Sequence, residues 1–348
     1  MSVRAAAIFS LLTQFFFVAN LSATTRAQVV AAGPAYSGYS WTCHQRNLLD
    51  ADDDGIDDRP DWPFATNSNY TGEAYSWGYW DKPSDFGSNV NLETANWIAG
   101  KRDVDALPPG YAGFTGLDCS GFVSRILSLA SHQATGDLQA LSVPVSTSDL
   151  KMGDLLFVPG HVVVFTDGTL SGNSMSIMHA VTWRYGVSQQ VRRAVSESTE
   201  YRVEDGILYL RSKSKPGDTW EEEKVQHSPY SPFPQFQAIS PGKDTLINEA
   251  RPEIKVTVKA GTNIIGSSIR LKIDNVEQTL PTYSDAKQIQ VSFTPSEDLS
   301  DGQHILYVYA KNTLNLEDDT SVGFPIADPQ FLVEREKLMF AKFSHEIC

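Results

Sequence analysis

The stretch GLDCSGFVSRILSL, residues 116–129, decides how the central part of the chain folds. Its apolar residues recur every three to four positions, which is the spacing of one buried helix face. The residues at this spacing are Phe122, Val123, Ile126, Leu127 and Ala130. The pattern predicts a helix from about Cys119 to Ser131, with Asp118 as an N-cap or loop-fixing acceptor just before it.

Cys119 therefore lies where the predicted helix begins. The thiolate is the reactive form of cysteine, and a helix N-terminus or a nearby imidazolium lowers the thiol pKa from about 8.5 into the range of roughly 3.5 to 7.5. Unpaired N–H groups in the first turn favour the negative sulfur and can receive an oxyanion. The alternative is that Cys119 is a small apolar residue buried in the core.

The segment KMGDLLFVPGHVVVFTDG, residues 151–168, follows the helix and predicts a hairpin. Its strands are expected at 154–158 and 161–166, with Pro159 and Gly160 in the turn. Residues 176–183 and 190–196 are expected to add strands, and 92–100 is expected to be a helix. Strands that follow a helix in this way favour an α+β domain over alternating βαβ units.

Two histidines lie in these strand segments. A cysteine nucleophile needs a base, and the base needs an orienting partner. If the strands are neighbours, His161 can take the thiol proton while His179 holds the imidazole and supports its charged form.

The elements AYSWG, GLDCSGFVSRI, MGDLLFVPGHVVVF and IMHA occur in that order. Together they resemble the motifs of the NlpC-type family of papain-like cell-wall peptidases, over about residues 70–196. The resemblance implies that Cys119 is the nucleophile, His161 the base, His179 the orienting residue and Tyr75 the motif tyrosine. Long insertions separate Tyr75 from Cys119 and His161 from His179.

Two of these assignments have alternatives. Glu197 or Glu200 is an alternative to His179, and a packing role is the alternative for Tyr75. Asp118, Ser120 and Trp77 are the expected substrate contacts.

The family resemblance further implies hydrolysis of amide bonds in peptidoglycan stem peptides. Thiolate attack would be followed by deacylation with water. Two alternatives remain open, an inactive surface-binding or adhesive protein and a cysteine amidase or acyltransferase on another amide. No cofactor is expected for catalysis.

An acidic run, DADDDGIDDRPD at residues 50–61, has oxygen ligands at alternate positions and glycine at the sixth. This is the arrangement that a calcium loop requires, and it resembles the loops of EF-hand, dockerin and thrombospondin type 3 repeats. The expected ligands are Asp50, Asp52, Asp54, Ile56 through its carbonyl, Asp58 and Asp61. A solvated acidic loop is the alternative to a structural calcium site.

The C-terminal part contains short alternating segments at 253–259, 268–274, 288–294, 304–311 and 320–326. Their spacing indicates an immunoglobulin-like β-sandwich. The expected fold is thus an α+β papain-like domain followed by an all-β sandwich. The expected boundaries are a signal peptide at 1–27, an N-terminal segment at 28–68, the hydrolase domain at 69–243, the sandwich at 244–328 and a tail at 329–348.

The chain begins with an early Arg4, an apolar run and small residues, the layout of a secretory signal cleaved after Ala27 or Ala23. We therefore expect a secreted, periplasmic or cell-surface protein without stable membrane insertion. The formal charge of −14 over 348 residues argues against nucleic-acid binding. The protein is expected to be a monomer that binds peptidoglycan peptides. The sequence leaves open whether Cys43 and Cys348 form a disulfide.

Overall fold

The computed structural model describes residues 23–48, 64–100, 111–169, 174–180, 187–188, 201–204, 207–212 and 221–327, with side chains described outside 167–227. These residues form a mixed α+β structure that is rich in strands. The helices are α1 (Arg26–Ser37), α2 (Pro83–Asn91), α3 (Cys119–Ile126) and α4 (Thr135–Ala140).

The strands up to the middle of the chain are β1 (Thr24–Thr25), β2 (Ser40–Cys43), β3 (Ser68–Thr71), β4 (Asn96–Ala99), β5 (Tyr111–Thr115), β6 (Val143–Pro144), β7 (Leu155–Val158), β8 (His161–Thr169), β9 (Ser174–Ala180) and β10 (Val187–Ser188). The later strands are β11 (Tyr201–Glu204), β12 (Ile207–Ser212), β13 (Glu221–Ser231), β14 (Gln235–Ser240), β15 (Ile254–Ile264), β16 (Arg270–Ile273), β17 (Val276–Glu277), β18 (Ala286–Phe293), β19 (Gly302–Lys311) and β20 (Leu316–Ile326).

The first unit is built on an eight-stranded sheet in the order β10-β9-β8-β7-β13-β12-β11, with β6 paired to β13. Helices α1 and α3 pack on the sheet around one apolar cluster that includes Val29, Phe122, Phe157 and Val164. Each such side chain stabilises the fold by roughly 1.5–3 kcal/mol when it is fully buried. The hairpin β7–β8 is confirmed, with Val158 opposite His161 across a two-residue turn.

The helix α3 begins at Cys119 as predicted but ends at Ile126, five residues earlier than expected. Leu127 is its C-cap, and Ser128 adopts a left-handed φ of 57°. The amide of Leu129 closes this turn by donating to the Ser124 carbonyl at 2.9 Å. Because the apolar spacing continues to Ala130, it does not indicate where the helix ends.

The helix expected at 92–100 is wrong. The helix in this region is α2, which starts with Pro83 at its first turn, where proline is well tolerated. Residues 96–99 form β4, which pairs in parallel with β5. Trp97 and Ile98 favour this extended pairing, since aromatic and β-branched residues suit strands.

The second unit consists of two sheets that enclose a separate apolar cluster. One sheet has the order β14-β15-β18 and the other β1-β20-β19-β16-β17. Strands β15, β16, β18, β19 and β20 occupy the segments that the sequence predicts. The sheets also include Gln235–Ser240 and Thr24–Thr25, which lie outside the expected range 244–328.

Arg26, the first residue of α1, lies where the two units meet. Its guanidinium donates to Asp154 of the first unit at 2.7 Å and to Asp318 of β20 at 2.9 Å. It also donates to Ser231 at 3.0 Å and lies 4.4 Å above the Phe233 ring. The N-terminal segment therefore joins both units. Among the described residues, no helix has the length and apolar character needed to cross a membrane.

Candidate active site

Two glycines bring the segment 74–80 against the start of α3. A Cβ atom at Gly116 would lie 2.2 Å from the Ala74 carbonyl oxygen, and one at Gly121 would lie 2.2 Å from the Tyr79 carbonyl oxygen. Gly116 also has a φ of +133°, which favours glycine. The glycines of the GLDCSG motif thus allow the backbone around Tyr75 to approach the helix start.

Asp118 is the N-cap of α3, as predicted. Its carboxylate accepts hydrogen bonds from the Gly121 amide at 2.5 Å, the Gly78 amide at 2.8 Å and the Ser120 hydroxyl at 2.8 Å. Burial alone would raise the pKa of Asp118, but these bonds and one from His132 hold that pKa below its usual value. A negative charge is therefore fixed beside the candidate nucleophile.

Cys119 lies on the wall of a cleft of about 830 Å³. Only 4% of the residue is exposed, and its sulfur lies 4.0 Å from the Gly160 carbonyl oxygen of the β7–β8 turn. The other lining residues include Tyr75, Trp77, Ser120, His132 and Thr135. Cys119 therefore contributes to the cleft wall although most of the residue is buried.

The protonation of Cys119 differs from the sequence prediction. Burial raises the pKa of its thiol to about 11, and the Asp118 charge adds to the effect. Hydrogen bonds from the Val162 amide, the Thr135 hydroxyl and the Ser120 amide act in the opposite direction but are outweighed. The expected lowering of the thiol pKa by the helix N-terminus is therefore wrong for this arrangement. Desolvation destabilises the thiolate more than the hydrogen bonds of the first helix turn stabilise it.

His161 directly follows Gly160 and opens β8. Burial lowers the pKa of His161 to about 4, although the Asp118 charge acts against the shift. Its ring is not among the groups that line the cleft. Val162 and Val164 pack in the same cluster as Cys119, whereas alternation along the strand groups His161 with Val163. Both the thiol and the imidazole are neutral at pH 7.

Tyr75 and Trp77 reach the cleft from the segment before α3. Tyr75 is buried, and its pKa is raised first by burial and then by the charges of Cys119 and Asp118. Its phenol thus remains a neutral hydroxyl donor near the sulfur. Trp77 is 49% exposed at the cleft rim, where it can pack against a ligand.

His179 lies in β9, where the adjacent Met178 pairs with Val164 of β8. Its side chain, and those of Glu197 and Glu200, lie outside the described residues, so the third member of the triad stays a prediction. The calcium ligands predicted between residues 50 and 61 also lie outside them. Cys43 is a buried free thiol whose pKa burial raises to about 11.

Two cleft residues were not predicted from the sequence. His132 Nε2 lies 3.4 Å from Asp118 Oδ1 and 3.2 Å from Ser120 Oγ, and its ring stacks on Trp80. Thr135, at the start of α4, hydrogen bonds to the Cys119 sulfur. A helix continuing to Ser131 would place His132 about 20 Å from Asp118 along the axis. Because α3 ends early, the chain after it folds back and brings His132 to the N-terminal end of the helix.

No protein-family model and no curated protein matches the sequence. Among solved structures, CopC from Methylosinus trichosporium OB3b is 11% identical with a TM-score of 0.23, over 28% of this chain and 95% of that chain. Dimeric latent PorU from Porphyromonas gingivalis is 14% identical with a TM-score of 0.23, over 45% of this chain and 17% of that chain. At these scores neither likeness indicates a shared function.

Proposed function

We propose that this chain is an exported cysteine hydrolase that cleaves amide bonds in the stem peptides of peptidoglycan. In this proposal, an NlpC-type papain-like unit precedes an immunoglobulin-like sandwich. The observation that carries the proposal is the position of the Cys119 sulfur, in the first turn of α3, on a cleft wall and beside the turn that leads to His161.

The proposed reaction begins with neutral groups. Because the pKa values of Cys119 and His161 are about 11 and 4, the proton must move from sulfur to imidazole as the sulfur attacks the carbonyl carbon. This step requires the His161 ring beside the sulfur, and the adjacent Gly160 is the residue of that turn that contacts the thiol. His179 is the proposed orienting residue.

The remaining steps use donors of the cleft. In this mechanism the Cys119 amide and the Tyr75 hydroxyl donate hydrogen bonds to the oxyanion of the tetrahedral intermediate. The amine leaves with the proton held by His161, and a thioester remains on Cys119. Water then attacks the thioester, gives a proton to His161 and releases the acid product with the free thiol.

The proposal is tested by digesting purified peptidoglycan and identifying new amino groups by mass spectrometry. We expect the wild-type protein to release them and Cys119→Ala to lose at least about a thousandfold in rate. Cys43→Ala is the matched control, since Cys43 lies in a separate apolar cluster away from the cleft. Equal cleavage by wild type and Cys119→Ala would rule out the proposed nucleophile.

A second candidate is an inactive surface-binding or adhesive protein. The raised pKa of the buried Cys119 and the position of His161 outside the cleft lining favour it. In that case neither peptidoglycan nor its soluble muropeptides would be cleaved, while peptidoglycan would still retain the protein in a pull-down. A cysteine amidase or acyltransferase would form the same thioester on Cys119. Its products would come from another amide or carry the acyl group on another acceptor.

A further inference from the structure

We infer that His132 tunes the reactivity of Cys119 through Asp118. In this role His132 is a positioning residue, which acts on the nucleophile through Asp118. The inference rests on the part of the proposed function that makes Cys119 the reactive group, but it does not depend on peptidoglycan being the substrate.

The geometry consists of three consecutive polar contacts around the start of α3. His132 Nε2 lies 3.4 Å from Asp118 Oδ1 and 3.2 Å from Ser120 Oγ. Ser120 Oγ in turn donates to the same carboxylate oxygen at 2.8 Å. Asp118 and Ser120 flank Cys119 in the chain, so His132 contacts both neighbours of the nucleophile.

The electrostatic consequence follows from the signs of the charges. The Asp118 carboxylate opposes ionisation of the Cys119 thiol. The His132 ring contacts that carboxylate and stabilises its charge, which weakens its effect on the sulfur and so makes the thiolate easier to form.

Other charged groups around this contact do not replace His132. The Asp118 charge also shifts the pKa values of Cys119, Tyr75 and His161. The guanidinium of Arg125 lies over the Trp80 ring, 3.7 Å from its centroid, and is not among the groups that shift the pKa of Asp118. Asp137 of α4 is exposed and accepts from the Ala134 amide at 3.3 Å.

The Asp118 charge itself persists when His132 is replaced. The amides of Gly121 and Gly78 and the Ser120 hydroxyl continue to stabilise the carboxylate. Asp118→Asn removes the charge but keeps an N-cap acceptor, because asparagine caps helices about as well as aspartate. The two substitutions therefore separate the charge of Asp118 from its structural role.

The test measures how fast 2,2′-dithiodipyridine reacts with Cys119 between pH 5 and 9. Four proteins are compared: wild type, His132→Gln, Asp118→Asn and the double variant, all with Cys348→Ser so that the terminal thiol is absent. Absorbance follows the released thiopyridone, and peptide mass spectrometry assigns the modified cysteine. Circular dichroism checks the fold, and His132→Asn replaces His132→Gln if that variant does not fold.

We expect wild type to react on the order of tenfold faster than His132→Gln at pH 5, as for one pKa unit of the thiol. His132→Gln should have no effect in the Asp118→Asn background. A ratio that persists in the Asp118→Asn background, or that equals one throughout, overturns the inference. Because the reagent is not a peptide, these outcomes are independent of whether peptidoglycan is cleaved.

Discussion

Cys119 is held as a neutral thiol by its surroundings, and this state can be measured in the free protein. Because burial and Asp118 raise the pKa of the sulfur to about 11, the rate of alkylation by iodoacetamide should rise continuously from pH 7 to 10. Peptide mass spectrometry separates Cys119 from the buried Cys43. A plateau with an apparent pKa below about 7.5 would contradict this and support the lowered thiol pKa expected at a helix N-terminus.

Glu73, two residues before Tyr75, is fully buried, and neither carboxylate oxygen has a hydrogen-bond partner among the described residues. Burial raises its pKa to about 9, with a further contribution from Asp81. The folded state thus holds a proton that the unfolded chain releases near pH 4.5. Stability conferred by this proton is complete below pH 4.5 and is lost as the pH rises toward 9.

Glu73→Gln tests this linkage. Between pH 6 and 8, urea unfolding should show wild type losing up to about 1.4 kcal/mol per pH unit more than the variant, as for one proton. At pH 8 the variant should be the more stable protein. Glu93→Gln is the matched control, because Glu93 is an exposed carboxylate that is not among the charges that shift the pKa of Glu73. Parallel pH profiles for wild type and Glu73→Gln would show that Glu73 is not the buried acid responsible.

The β7–β8 turn is the element that places Gly160 beside the sulfur. Gly160 has a φ of +76°, and a Cβ atom there would meet no atom within 4 Å. Gly160→Ala should therefore cost about 1 kcal/mol through its backbone conformation alone. It should also lower thiol reactivity or peptide cleavage, since the turn contacts Cys119.

Gly136→Ala is the matched control for that substitution. A Cβ atom at Gly136 also meets no atom within 4 Å, but Gly136 lies inside α4. Alanine is favoured over glycine in a helix, so this variant should gain up to about 1 kcal/mol. We expect Gly160→Ala to lower the free energy of unfolding and Gly136→Ala to raise it. If thermal unfolding shows that both substitutions change stability in the same direction, the left-handed conformation of Gly160 does not explain the effect.

The elements show what local sequence can and cannot predict. The hairpin β7–β8 is predictable because Pro159 and Gly160 separate two apolar runs. The start of α3 is predictable because Asp118 and the apolar spacing agree. The helix α3 ends where Ser128 adopts a left-handed backbone conformation, which apolar spacing does not predict. The contact between His132 and Asp118 requires the helix to end there. The pKa of Cys119 depends on burial by distant segments.

At the scale of the whole molecule, Arg26 joins the two units through Asp154 and Asp318. Of the two signal cleavage positions considered, the one after Ala23 keeps Arg26 and the one after Ala27 removes it. Removal leaves Asp154, which is fully buried, without its cation. Breaking a buried pair in this way costs about 3–5 kcal/mol.

A chain that begins at Gln28 should therefore unfold at lower urea concentration than one that begins at Thr24. Arg26→Met in the longer chain should reproduce most of the loss, and Arg251→Met is the control, since its contact with Asp298 is exposed. Equal stability of the two chain lengths would show that Arg26 does not hold the units together.

In the proposed reaction, Cys119 attacks an amide carbonyl. The most direct measurement mixes the protein with soluble muropeptides, quenches in acid within the first turnover and weighs the peptide that contains Cys119. We expect a thioester adduct with the mass of the acyl part of the substrate, and none in Cys119→Ser. Muropeptide cleavage that proceeds without an adduct, and at the same rate in Cys119→Ser, would contradict the account.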